Sequence, residues 1–327
     1  MPSQSGDQVF YLDSRGDLTL RIGQKDAEEP YQLVVCSRTV ARSSAVFRAM
    51  LFGGFAESKS EGESSWVVDL PDDEHHLMFL LLTIIHGNFT FLPEKLNPEE
   101  LYQLLIVADK YDMVHTLRPM LATWYQPHLE TAAIAGNETF LWVAWVLGDK
   151  KTFENLALRL VLYSKVDEGG QLLDSNRNHF SKHRPLGPLG ILERIAHTRE
   201  DIIRKIFLLL HETIQARLDN RGCSKYADYP MHELKLNIQQ LNSTHMTAPL
   251  YLGSVNHLES LIRKTGFDCV CKVLHSECNP LHHIRTEIRQ LVKAVSPLVS
   301  DAEVERLRKQ ANKSGLGLKR PTEMDES

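Results

Sequence analysis

The sequence predicts an α+β fold, a small three-stranded sheet covered by helices and followed by a mainly α-helical C-terminal region. Two observations carry that expectation. Three short runs of β-forming residues all fall before position 71, and the long apolar periodicities after it repeat at three to four residues. The length of 327 residues suggests two domains, and 43% apolar with 24% charged residues is ordinary globular usage, which excludes a wholly disordered or collagen-like chain.

Residues 17–22 alternate polar and apolar through Leu18, Leu20 and Ile22, and residues 31–35 form a second β-rich run. Breakers at 26–30 separate the two, so they read as a hairpin. Trp66, Val67, Val68 and Leu70 make a third strand that Pro71 ends. Between the second and third strands, residues 37–52 read as two short helices. Val46, Phe47, Met50 and Leu51 sit at helical spacing, and Gly53 and Gly54 stop the second helix.

Helices then take over. Asp72, Asp73 and Glu74 place negative charge at the positive end of a helix dipole, and the helix they open is apolar nearly all round from Leu77 to Ile85. Asn97, Pro98 and Glu100 form a start signal: Asn97 caps, Pro98 suits the first turn, and Glu100 reaches back to the Asn97 amide. That helix runs to about Lys110 with Leu101, Leu104, Leu105 and Ala108 inward, and a further helix carries Met113, Leu117, Leu121 and Trp124 on one face. Two more helices, 138–147 and 151–164, flank a Gly148 turn. Thr198 with Asp201 suggests a cap for a long helix ending near Asn220, with Ile203, Ile206, Phe207, Leu210, Ile214 and Leu218 as its stripe.

These elements divide the chain into an interaction domain at 15–125, a helical extension at 126–170, a linker at 171–190, a helical C-terminal domain at 191–310 and a polar tail at 311–327. The linker expectation rests on Pro185, Pro188 and the absence of periodicity. Net charge is −5, with 18 acidic and 10 basic residues in 1–128 and 24 and 27 in the remainder. Neither part has the basic excess of a nucleic-acid surface, so no direct nucleic-acid partner is expected. The longest mostly apolar stretch, 77–85, is nine residues against the ~20 that span a bilayer, so no membrane partner is expected either. The polar start at 1–7 lacks the features of a secretory signal, and an intracellular protein, nuclear or cytoplasmic, is expected.

The segments Asp17-Leu-Thr-Leu, Val35-Cys-Ser-Arg-Thr-Val-Ala-Arg-Ser-Ser-Ala-Val-Phe-Arg-Ala-Met50 and Phe55-Ala-Glu57 together resemble the BTB/POZ domain. In that family an Asp opens the first matching strand, a Ser precedes the hydrophobic-Phe pair matched by Ser44, Val46 and Phe47, and an acidic residue follows the loop Phe. Cys36 and Val40 depart from the family's His and Leu. Residues 101–124, with Ala108-Asp-Lys-Tyr111, resemble the helical hairpin that closes such domains, which extends the likeness over 15–125. The rest, including Ala144-Trp-Val-Leu-Gly-Asp149, looks like the uncharacterised BTB proteins of filamentous fungi. The resemblance implies a protein-protein interaction scaffold that oligomerises or holds protein partners, alternatively a substrate adaptor for a cullin-type ubiquitin ligase or a zinc-stabilised transcriptional regulator. Where one class of the family pairs the strand Asp with a basic residue, this chain has Ser37, so co-repressor capture is not implied.

Five cysteines are too few and too odd in number for a disulfide frame. Cys269, Cys271, His275, Cys278, His282 and His283 crowd into fifteen residues, and on a helix Cys271, His275 and Cys278 share one face, with His282 able to close a tetrahedron. A structural zinc at Cys271, His275, Cys278 and His282 is therefore one expectation, and packing thiols with surface histidines the other. No resident cofactor is expected beyond that. His211-Glu-Thr-Ile-Gln215 lacks the second His of a zinc-protease helix, no Gly-rich loop carries the following Lys-Ser/Thr, and Gly-x-Ser-x-Gly is absent, so an enzyme is not expected.

Overall fold

A computed structural model describes residues 9–23, 31–60, 62, 65–134, 136–180, 184–218, 251–264, 280–295 and 297–317. It is a mixed α/β structure, broadly α+β, whose described helices fall into two compact units.

Unit 1 takes the described residues up to Ala132, then Thr139–Thr152, and again those from Ala302 onward. Its sheet has four strands where three are expected. Strand β1 (Val9–Tyr11) is the addition, β2 is Leu18–Ile22, β3 Tyr31–Val35 and β4 Val67–Leu70, in the order β1-β3-β2-β4. The expected hairpin forms, with β2 antiparallel to β3 and Leu20 opposite Leu33, while β1 and β4 join in parallel. Three residues are too short to show an alternation, so β1 is recognisable only through its partner, where Phe10 faces Leu33. Alternate residues Leu18, Leu20, Ile22, Leu33, Val35, Val68 and Leu70 are buried, as the two-residue period of a strand requires of a half-covered sheet.

Helices α1 (Ser37–Ser43), α2 (Ala45–Phe52), α3 (His75–Ile85) and α4 (Pro98–Lys110) follow their expected order. The Asn97 box is complete: the Glu100 amide donates to Asn97 Oδ1 at 2.9 Å and the Asn97 amide to Glu100 Oε2 at 2.7 Å. The expected single helix through Met113 and Trp124 is instead a 3₁₀ turn (Val114–Leu117) and a four-residue α5 (Leu121–Trp124). Leu117, Leu121 and Trp124 are still buried, so the stripe predicts the burial but not the continuity.

Helix α6 (Phe140–Leu147) is buried at seven of its eight residues and ends in Gly148, which has φ 78°. Helix α7 (Lys150–Tyr163) then begins, with the Asp149 carboxylate accepting from the Thr152 amide at 3.0 Å. The last helix, α11 (Asp301–Ser314), belongs to unit 1 from Ala302 on, and it overruns the expected tail at 311–327: Gln310 and Ser314 are buried.

Unit 2 takes Ala133–Glu138 and Phe153–Asp301. The expected linker at 171–190 contains strand β6 (Leu172–Leu173), which pairs antiparallel with β5 (Lys165–Val166). Its polar residues make turns: Asp174 Oδ1 accepts from the amides of Asn176 and Asn178, and Asp167 Oδ1 from that of Gln171. Helix α8 (Ile191–Leu218) starts seven residues before Thr198, because buried Ile191 and Ile195 continue the apolar stripe upstream of the capping pair. Helices α9 (Val255–Lys264) and α10 (Pro280–Lys293) pack on α8.

Candidate interaction surface

The residues of unit 1 divide into those that hold the fold, among them most carriers of the BTB resemblance, and those that face solvent. Asp17 belongs to the first group. Its carboxylate accepts from the Ser37 amide at 2.8 Å and from Ser37 Oγ at 2.7 Å, supplying a cap that Cys36, the residue before α1, does not supply by its side chain. Burial pushes the Asp17 carboxyl up, but the two Ser37 hydrogen bonds and the Lys59 charge outweigh it, leaving it below the usual value. The Cys36 amide donates to His86 Nε2 at 3.1 Å, while His86 Nδ1 lies 2.7 Å from the Leu82 carbonyl and donates to it. Those two contacts fix the ring as the Nδ1–H tautomer.

Ser44 caps α2 by accepting from the Phe47 amide at 3.0 Å and donates to the Tyr111 carbonyl at 2.6 Å. Phe47 is fully buried and stacks on Tyr111 at 4.4 Å. Tyr111 Oη donates at 2.6 Å to Asp73, which also takes Lys110 Nζ at 2.9 Å. Asp73, read from sequence as a helix-dipole charge, is thus a buried anchor for the end of α4. Burial and the Asp73 carboxylate together push the Tyr111 phenol far above its ordinary value, so it stays a donor.

The solvent-facing group is apolar. Tyr31 stacks on Phe10 at 4.8 Å, Phe10 meets the edge of Phe79 at 6.1 Å, and Phe79 meets Phe91 at 6.5 Å. His75 extends the row by stacking on Tyr31 at 4.7 Å, with His76 at its edge. Phe10 is 39% exposed and Phe91 64%, with Phe89 also open beside Phe91. On the other face of the sheet, Tyr11, Val34, Thr19 and Val67 stand in one cross-strand row, its two ends exposed. A further open group lies after α2, where Phe52 meets the edge of Trp66 at 5.7 Å, Phe55 is 61% exposed, and Trp66 Nε1 donates to the Glu57 carbonyl.

Sequence reasoning missed the aromatic row. Phe10 lies outside the expected strands, Tyr31 reads as an ordinary strand residue and Phe79 as part of the apolar helix, and only the pairing of β1 with β3 and the packing of α3 bring the four rings together. The arrangement offers contact area and aromatic anchors of the kind that association uses.

Of the expected zinc ligands, Cys271, His275 and Cys278 lie outside the described residues, and of His282 only the backbone, in the first turn of α10, is among them. Among the described residues no group of three His, Cys, Asp or Glu could hold a metal ion. No described helix is long and apolar enough to cross a membrane.

No family model matches the chain, and no curated protein matches it.

Proposed function

We propose that the chain is a protein-protein interaction scaffold that works through unit 1, a BTB/POZ-like domain, and not an enzyme. The observation that carries this reading is the row of Tyr31, Phe10, Phe79 and Phe91, contiguous rings left partly open to water. Monomeric soluble proteins rarely leave large apolar patches uncovered, because covering such area is favourable by ~25 cal/mol per Å². A partner that lays an apolar strip along the row recovers that energy. The sequence likeness over 15–125 supports the same reading, since the family is known for association. The test is affinity purification of the tagged full chain from native extract, beside a Phe10→Asp/Phe91→Asp variant whose melting curve is checked first. Partners or a second copy retained by the wild type and lost from the folded variant support the proposal, and an identical set on both rejects it.

A second reading, which the sequence likeness implies, is an adaptor that feeds a cullin-type ubiquitin ligase, with the exposed Phe55 as a contact to test. Phe55 reaches into solvent and its loss leaves the core of unit 1 untouched. Capture of an endogenous cullin that Phe55→Asp abolishes supports the adaptor, and capture without any cullin leaves the scaffold reading alone.

A further inference from the structure

Helix α11 is held differently from the other helices of unit 1. Its fourteen residues bury one large apolar side chain, Leu307, with Val304 half-buried. Several of its other contacts are polar or made by backbone. Ser314 Oγ donates to the Leu147 carbonyl at 2.7 Å, Lys313 Nζ pairs with Asp112 at 2.6 Å, and the Arg306 guanidinium lies 5.1 Å from the Trp145 ring centre. At Gly148 the two backbones touch: a Cβ there would strike Ala311 N and the Leu307 carbonyl oxygen. One large buried apolar side chain, one buried hydroxyl bond and a half-exposed ion pair are a modest return for ordering fourteen residues. The seat beneath is different in kind, because α6 buries Phe140, Leu141, Val143, Ala144, Trp145, Val146 and Leu147 and packs on α4 as well.

We infer that α11 is the ligand of a helix-accepting groove on unit 1, not part of its core, and that the same helix from a second copy can take its place. The groove is demanding. It needs a helix that passes Gly148 with a small residue at the position of Ala311, a leucine four residues earlier, a hydroxyl at the position of Ser314 and a cation for Asp112. Asp109, near Arg306 and Lys313, adds a second acidic group to the same side, against those two cations of the helix. A second copy carries every one of these features at the required spacing. This surface shares no residue with the aromatic row, so its fate is independent of the proposal above.

The test uses the full chain carrying Leu307→Asp, which cripples the resident helix and leaves the groove intact, and a fluorescent peptide spanning residues 301–317 as probe. Anisotropy titration should give at least tenfold tighter binding to this variant than to the wild type, where the tethered helix competes at an effective concentration of order mM. Adding Asp112→Lys to the variant should weaken binding several-fold, and the peptide with Lys313→Asp should restore it. A cooperatively melting Leu307→Asp chain that ignores the peptide overturns the inference. So does a variant that no longer melts cooperatively, since α11 is then core. Equal binding to wild type and variant overturns it as well, because the peptide is then attaching elsewhere.

Discussion

Asp17 is the residue whose role is most local and most easily tested. The sequence places it at the mouth of a strand, and the structure uses its carboxylate to cap α1 through Ser37. Replacing a helix cap costs about 0.5–2 kcal/mol, so Asp17→Ala should lose about 1 kcal/mol by urea unfolding at pH 7. Because the folded-state carboxyl titrates below its ordinary value, its contribution is present above the unfolded-state value and disappears as pH falls through the folded one. The wild type and Asp17→Ala should therefore converge in stability in acid, and a gap that persists or widens at low pH contradicts the cap. Tyr111→Phe isolates a second local role. It keeps the stack on Phe47 but removes a donor from the buried Asp73, leaving Lys110, and should cost about 1–3 kcal/mol. Ser44 and Phe47 are visible in the sequence as family-pattern residues, yet their partner Tyr111 lies 67 positions from Ser44, and nothing local announces that bond.

Elements were legible where their signals are local. The box at Asn97, the β2-β3 hairpin and the paired helices before Gly53 all depend on residues within a few positions of one another, and they form as read. Elements defined by distant partners were not. Strand β1 exists through β3, α8 extends upstream through buried Ile191 and Ile195, and α11 packs within unit 1 where Gly148 admits its backbone. Helix α3 shows both sides. Its apolar run reads as wholly buried, but Leu81 is buried while Leu80 and Phe79 are partly open. Leu81→Ala should thus cost about 2–5 kcal/mol as a large-to-small core change, and Leu80→Ala distinctly less. Equal losses in denaturant titrations of the two variants contradict this orientation of α3. Gly148→Ala combines an unfavourable positive φ with a clash against α11, so it should raise hydrogen exchange across 302–317 and lower the melting temperature; unchanged exchange there contradicts the close approach.

At the scale of the molecule, the expected boundary at 171–190 gives way to two units between which the chain passes more than once. A composition-based reading places boundaries where polar residues gather, and here the Asp167 and Asp174 turns gather them inside unit 2. The buried Arg199 shows how unit 2 is held. Its guanidinium donates to the carbonyls of Ser164, Tyr251 and Gly253, and burial pulls it down to about 10 while Tyr251 and Glu200 oppose that, so it remains charged at pH 7. Arg199→Met leaves those carbonyls without this donor at about 1–3 kcal/mol for each one unpaired. Proteolysis should open 153–301 first in this variant, and cleavage that begins in 9–132 contradicts the role.

The proposed scaffold role puts the partner on the aromatic row of unit 1. Hydrogen-exchange mass spectrometry on the full chain, alone and in the complex captured from native extract, tests it directly. New protection is expected to concentrate at Val9–Tyr11, Tyr31–Val35, His75–Ile85 and Phe89–Phe91. Protection confined to unit 2, with those four segments exchanging as fast in the complex as in the free chain, would contradict it.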